Sequence, residues 1–177
     1  MRKKELKMGI IMAVIISAAM GVLATFIVIR NNPQAAEVTP VPVMYISNII
    51  LSIVIGVIVA LAVPLGKLGQ KLAKKFDAVP PSLKFTLINA VPISIGNTLI
   101  IGFILSGLGV YNGRSHAPAE ALANLPPFYI MWLGSFLQLL LPTLIVSYVI
   151  SVLISPVISR AVGLGGPPPE AGRGPKG

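Results

Sequence analysis

Apolar residues form four long stretches without a single charged residue, and the polar residues are gathered between them. The stretches lie within residues 8–29, 43–66, 85–110 and 121–159, and the last one is expected to enter the membrane from about Phe128. Crossing the ~30 Å hydrocarbon core of a bilayer takes about 20 apolar residues in helical conformation. Backbone inside lipid must satisfy its own hydrogen bonds, so runs of this length are expected to be helices rather than barrel strands. The pattern predicts an all-α integral membrane protein, a four-helix bundle.

The composition supports a membrane protein. Of the 177 residues, 55% are hydrophobic and 11% are charged, whereas a soluble domain carries about 25% charged residues to solvate its surface. This argues against a soluble enzyme, a nucleic-acid-binding module and a disordered protein. The chain contains no cysteine, so disulfides, thiolate metal sites and a cysteine nucleophile are excluded.

Basic residues gather on one side of the expected membrane. They occur at the N-terminus, between the second and third stretches and in the C-terminal segment, while the other two connections hold only Arg30 and Arg114. The positive-inside rule therefore predicts a multi-pass protein of the prokaryotic plasma membrane with both termini in the cytoplasm. Four aromatic residues near the opposite interface agree with this orientation: Tyr45, Tyr111, Tyr129 and Trp132. A cleaved signal peptide is the alternative for the first stretch, but that stretch exceeds the usual apolar region of about 7–15 residues.

The first and third stretches repeat each other. A shift of 77 residues aligns them with nine identities, at Leu6, Lys7, Ile11, Ala13, Val14, Ile16, Ser17, Phe26 and Ile27 of the first copy. The second and fourth stretches align less well, since both begin with Tyr-Ile and end near Pro but at different spacings. We interpret this as a duplicated two-helix hairpin whose copies are parallel. The expected division is residues 1–76, residues 77–160 and a disordered Gly/Pro-rich cytoplasmic tail, residues 161–177.

The repeated segments resemble a family of small two-helix bacterial membrane proteins, a domain of unknown function found singly or in tandem. That family has a basic start, a first helix rich in Met, Ser and Ala that ends near Thr, and an aromatic-led second helix that closes on Pro before basic residues. The matching residues are Lys7 and Met8 through Thr25, then Phe128, Trp132 and Pro156 to Arg160. The resemblance covers residues 4–160 as two copies, although the first copy lacks the Trp. It implies a membrane bundle and no known activity.

Small residues recur at every fourth position of each stretch, which places them on one helix face. In the first and third stretches this helix-packing stripe includes Ala13, Ser17, Gly21, Ala90, Ser94, Thr98 and Gly102. Similar rows in the other stretches are Ser52, Gly56, Ala60 and Pro64, and Thr143, Ser147, Ser151 and Ser155. Small residues let helix backbones approach closely in lipid, so these faces are expected to point inward. A tight pore lining is the alternative to plain helix packing, and packing is favoured.

Amide side chains and prolines interrupt the last two stretches. Asn89, Pro92 and Asn97 lie in the third, and Gln138 and Pro142 lie in the fourth. Proline leaves the carbonyl four residues earlier without its helical partner, and such groups must be satisfied by neighbours or water. These five residues are the candidate lining of a small hydrated cavity in the second repeat. The alternative, that the amides hydrogen-bond across helices as structural contacts, is favoured.

No stretch carries an ionisable residue in its interior, which argues against proton-coupled transport and voltage sensing. The only histidine, His116, lies in a predicted outer loop far from the membrane serines. A serine mechanism would need a base, and metalloprotease or aspartyl chemistry would need His ligands or paired carboxylates. The sequence therefore predicts no catalytic residue, no metal site and no cofactor.

Residues 67–76 form an amphipathic pattern. Leu68, Leu72 and Phe76 fall on one side, and the lysines fall on the other, at Lys67, Lys71, Lys74 and Lys75. We expect a helix along the inner membrane surface that attracts anionic lipids, at about 1 kcal/mol per basic residue. Nucleic acid is not an expected partner, since no aromatic platform accompanies the charge. A homo-oligomer or a membrane partner protein remains open.

Together these patterns favour a polytopic membrane protein without catalytic machinery that acts as a scaffold or partner-binding subunit. The alternative is a small passive transporter or channel that uses the weakly polar cavity. The scaffold interpretation explains the absence of charge and the packing stripes, while the transporter interpretation explains why the second repeat is the more polar one.

Overall fold

The computed structural model describes residues 3–31, 37, 39–80 and 82–162, and the described part is helical without a strand. Its helices are α1 (Lys3–Asn31), α2 (Val41–Ala62), α3 (Leu65–Lys75), α4 (Leu83–Ser115), α5 (Ala119–Leu122) and α6 (Phe128–Ala161). Helices α1, α2, α4 and α6 are long and apolar enough to cross a membrane, by length and composition. The prediction of a helical membrane protein with four spans is therefore confirmed by the length and composition of these helices. The predicted tail falls mostly on residues 163–177, outside the described residues.

Prolines and one serine set several helix boundaries. Pro40 and Pro127 directly precede α2 and α6, because proline has a backbone angle that suits a helix start and lacks an N–H that would need a partner. Ser82 caps α4, and its side chain accepts a hydrogen bond from the Phe85 backbone N–H at 3.1 Å. Pro64 forces Val63 into an extended conformation, which ends α2 and lets the chain turn into α3.

The four long helices pack as a ring. The most extensive contacts join α1 to α2 and α4 to α6, while α1 against α6 connects the two pairs and a smaller contact joins α2 to α4. Apolar side chains from all four helices meet inside the ring: Met12, Ile16, Met20, Ile55, Val59, Ile101, Leu105 and Ile158. Each pair is a helical hairpin in chain order, but the duplication of the hairpin remains a prediction.

Small side chains lie where the helices approach one another. All seven residues of the helix-packing stripe are buried. A Cβ on Gly21 of α1 would lie 2.8 Å from the Asn48 carbonyl oxygen and 2.9 Å from the Ile49 Cα of α2. The two backbones therefore nearly touch, a contact that only glycine permits at this position. Large apolar side chains on the opposite faces, such as Ile58 and Leu141, are exposed, which suits contact with lipid.

Two polar side chains link helices across these interfaces. The Asn48 side-chain amide of α2 donates to the Thr25 hydroxyl of α1 at 2.9 Å. The Trp132 indole N–H of α6 donates to the Phe103 carbonyl of α4 at 2.8 Å, and Gly107 leaves room for the indole. Both contacts give a polar group within an apolar helix a partner that lipid cannot provide. The sequence did not single out Asn48.

Helix α3 packs lengthwise against the first half of α4. Leu65 contacts Gly96, and Gly69 contacts Asn89, so the two helices run antiparallel. The buried face consists of the small residues Gly69 and Ala73. The amphipathic pattern predicted a helix lying along the inner surface with Leu68 and Phe76 on its apolar side; these two side chains are 47% and 54% exposed and are not the face that packs on α4. Small residues form the contact because they allow α3 to approach the α4 backbone closely.

Candidate binding cavity

A cavity opens at the basic end of the bundle, which we define by Lys7, α3 and Lys84. It has an inner part of about 130 Å³ and an adjoining outer part of about 480 Å³. Four side chains from four different segments line both parts: Met8, Gln70, Asn89 and Ser155. The cavity therefore lies between the two helix pairs rather than within the second predicted repeat.

Asn89 and Asn97 both line the inner part of the cavity. Helical spacing places them on the same side of α4. They are 6% and 4% exposed, and neither side chain hydrogen-bonds to another described residue. Of the Asn89 amide atoms, the oxygen is fully enclosed, and it faces Gly69 of α3.

The cavity extends along α4. Asn97 follows Asn89 by eight residues of helix, a rise of about 12 Å at 1.5 Å per residue. Its neighbour Gly96 contacts Leu65, which lies three residues beyond the end of α2. Asn97 therefore lies near the level at which α2 ends, at the basic end of the bundle.

The other three residues that were predicted to line a cavity lie away from the two asparagines. Gln138 is exposed and lies at the far end of α1, where its oxygen accepts a hydrogen bond from the Asn31 amide at 3.4 Å. Pro92 and Pro142 are half-buried within α4 and α6 and line neither part of the cavity. The cavity thus gathers only two of the five predicted lining residues.

Two further polar residues of the cavity were not anticipated there. Ser155 belongs to the small-residue row of α6, and Gln70 lies in α3. A signal for Gln70 was present in the sequence, because Lys67, Gln70 and Lys74 recur at helical spacing and share one side of α3. Both lysines border the cavity, Lys67 the inner part and Lys74 the outer part.

Among the side chains that the structure describes, the lining has amide, hydroxyl and ammonium groups but no carboxylate and no histidine. In the described part of the chain, no cluster of three or more His, Asp or Glu side chains could hold a metal ion. The chemistry available is hydrogen bonding by neutral side chains and positive charge from Lys67 on the inner part and Lys74 on the outer part. Such a lining favours a polar or anionic ligand over a cation.

Fold and cavity together define a multi-pass helical membrane protein with a largely apolar cavity that carries a few polar side chains. Comparison with protein-family models, with curated proteins and with solved structures finds no match.

Proposed function

We propose that this protein is a non-catalytic binding protein of the prokaryotic plasma membrane, whose cavity takes a small polar or amphiphilic molecule from the cytoplasmic side. The observation that carries the proposal is the pair Asn89 and Asn97, both more than nine-tenths buried and both lining a cavity. A buried polar group without a partner costs about 1–3 kcal/mol. A bound molecule, or water in its place, would pair with the amide groups that face the cavity.

Asn48 provides an internal comparison. It donates to Thr25 on the neighbouring helix, which is how an asparagine stabilises helix packing inside a membrane. Asn89 and Asn97 make no such contact with a described residue. The structural role that the sequence favoured for these two amides is therefore less well supported than a binding role.

The absence of catalysis is part of the proposal. Among the described side chains, the cavity lining offers lysine as its only ionisable group, and a lining with a single kind of ionisable group lacks the acid and base partners that proton-transfer catalysis uses. The orientation rests on the positive-inside rule, which assigns the basic end to the cytoplasm.

A small passive transporter is the second candidate, favoured by one observation. The hydroxyls of Ser147 and Ser151 are buried without a hydrogen-bond partner among the described residues, and they continue the row of Ser155 along α6 at four-residue spacing. This row prolongs the polar lining toward the opposite end of the bundle. A transporter would move solute across proteoliposomes, whereas a binding protein would not.

The accessibility of Asn97 tests the cavity. Because the natural chain has no cysteine, Asn97→Cys introduces a unique thiol. We expect a membrane-impermeant thiol reagent to modify it in inside-out vesicles and not in right-side-out vesicles. Ser106→Cys is the matched control, since Ser106 lies on the same helix with the same 4% exposure but outside the cavity.

Ser106→Cys should react at least about tenfold more slowly, because reaching it requires an opening of the packed helices that costs more than about 1.4 kcal/mol. Equal rates for the two thiols, or modification of Asn97→Cys from the outer side alone, would contradict the cavity.

A further inference from the structure

The orientation of α3 about its own axis divides its four lysines into two pairs. Gly69 and Ala73 hold one face of α3 against α4. This turns Lys67 and Lys74 toward the cavity, together with Gln70, while Lys71 and Lys75 line neither part of it. A surface helix that attracted anionic lipid only through its net charge would use all four lysines alike. The docked helix therefore presents two lysines to one cavity, Lys67 to its inner part and Lys74 to its outer part.

The N-terminal end of α4 borders the outer part of this cavity. Phe85 in its first turn lines the outer cavity, as do Val79 and Pro80 just before the helix. Helix N-termini carry a partial positive charge that stabilises anions, and the first turn of α4 contains no acidic residue that would neutralise it. Positive charge from α3 and from α4 thus meets at one place.

The Asn89 side chain is the independent sign of a ligand. It is 6% exposed, lines both parts of the cavity, and lacks a hydrogen-bond partner among the described residues. Its oxygen is enclosed against Gly69, and the amide also carries an NH2 group that can donate. An amide donor in the lining and two ammonium groups, one on the inner and one on the outer part, are complementary to an acceptor-rich anion.

We propose that the cavity binds a phosphate ester, with the phosphate between Lys67 and Lys74, where the Asn89 amide lies against α3. This inference rests on the proposed binding function and names its ligand class. A cation would be repelled by the two lysines, and a wholly apolar molecule would leave the Asn89 amide unpaired. Hydrogen bonds from lysine to phosphate are charge-assisted and stronger than neutral ones.

The phosphate ester could be the headgroup of a phospholipid or a soluble phosphate compound. The residues around the outer cavity distinguish between these two ligands. Val79 and Leu83 are 70% and 71% exposed, and Val79 lines the outer cavity. Exposed apolar side chains beside lysines suit the membrane interface, where acyl chains lie next to phosphates. We therefore expect the phospholipid to be the better ligand.

Protection of a cavity thiol tests the inference. Ser155→Cys keeps the size of the side chain and lines both parts of the cavity. Its rate of modification by uncharged N-ethylmaleimide is measured in phosphatidylcholine nanodiscs with and without phosphatidylglycerol. In parallel, inorganic phosphate and glycerol 3-phosphate are added to nanodiscs of phosphatidylcholine alone. We expect phosphatidylglycerol to slow the reaction on the order of tenfold, as a ligand well above its Kd would.

Two double variants that each remove two positive charges from α3 serve as the test and its matched control. Lys67→Gln with Lys74→Gln should abolish the protection, while Lys71→Gln with Lys75→Gln should retain it. Protection by a soluble phosphate as strong as that by the lipid would support the phosphate chemistry and assign it to a soluble ester. Equal loss in both double variants, or no protection by any of the three probes, would overturn the inference. In that event, modification of Asn97→Cys from the cytoplasmic side would still uphold the cavity and the proposed binding function.

Discussion

Gly21→Leu is expected to separate α1 from α2 and to lower the stability of the whole bundle. A Cβ at this position would already lie 2.8 Å from the Asn48 carbonyl oxygen and 2.9 Å from the Ile49 Cα. Both are backbone atoms that cannot move aside without displacing α2. Overpacking of a tight interface costs about 1–3 kcal/mol and occasionally more. The same displacement would break the hydrogen bond from Asn48 to Thr25, so we expect about 3 kcal/mol in total.

The measurement is the melting temperature in mild detergent, followed by the amount of protein that remains monodisperse after heating. A loss of this size lowers the melting temperature of a domain of this length by roughly 6–12 °C. Gly9→Leu is the control on the same helix, because a Cβ on Gly9 has no atom within 4 Å. If the two variants melted together, the close approach of α1 and α2 would be wrong.

Gly69→Leu should have the second largest effect, which is the release of α3 from α4. A Cβ on Gly69 would meet both the side chain and the backbone carbonyl of Asn89, so leucine cannot fit while α3 stays docked. The hinge for such a movement exists at Val63 and Pro64, where no helical hydrogen bond continues from α2 into α3. We expect docking to weaken by about 1–3 kcal/mol.

Tryptic cleavage after the α3 lysines in inside-out vesicles measures this release. Cleavage of a docked helix follows the fraction of molecules in which α3 is released, so the rate should rise about 5- to 150-fold. In Gly66→Leu, on the same helix, the rate should stay unchanged or fall, because Gly66 has no atom within 4 Å of a Cβ and leucine favours the helix more than glycine does. Equal cleavage of the two variants would show that α3 does not lie on α4.

The long helices were predictable because their signal is summed over many residues. A run of 20 or more uncharged apolar residues has few alternatives in lipid, and the predicted start of the last span at Phe128 is the start of α6. The positions of helix ends that depend on a single residue were predicted less accurately. The second span was predicted to reach residue 66, but α2 ends at Ala62 because Pro64 imposes an extended conformation on Val63.

The docking of α3 was not predictable from its amphipathic pattern. Hydrophobic periodicity indicates which face avoids water, and it ranks Leu68 and Phe76 above Gly69 and Ala73. Within a membrane protein, however, close backbone approach decides which face packs, and the small residues form the contact. The sequence contained those small residues but not the partner helix that makes them the preferred face.

The candidate site was predicted in part for the same reason. Asn89 and Asn97 share one face of one helix, and helical spacing alone brings them together. Gln138 was grouped with them because it precedes Pro142 by four residues, a local relation that does not determine its height relative to α4. Lys67, Lys74 and Ser155 join the cavity through the packing of three separate segments, which no local pattern specifies.

The central claim is that the chain crosses the membrane four times with its cavity and lysines facing the cytoplasm. Single cysteines at three exposed positions test it most directly: Glu37→Cys, Lys75→Cys and Ser115→Cys. An impermeant maleimide applied to intact cells should label Glu37→Cys and Ser115→Cys, and should label Lys75→Cys only after the cells are opened. Labelling of Lys75→Cys in intact cells while the other two are protected would contradict the claim.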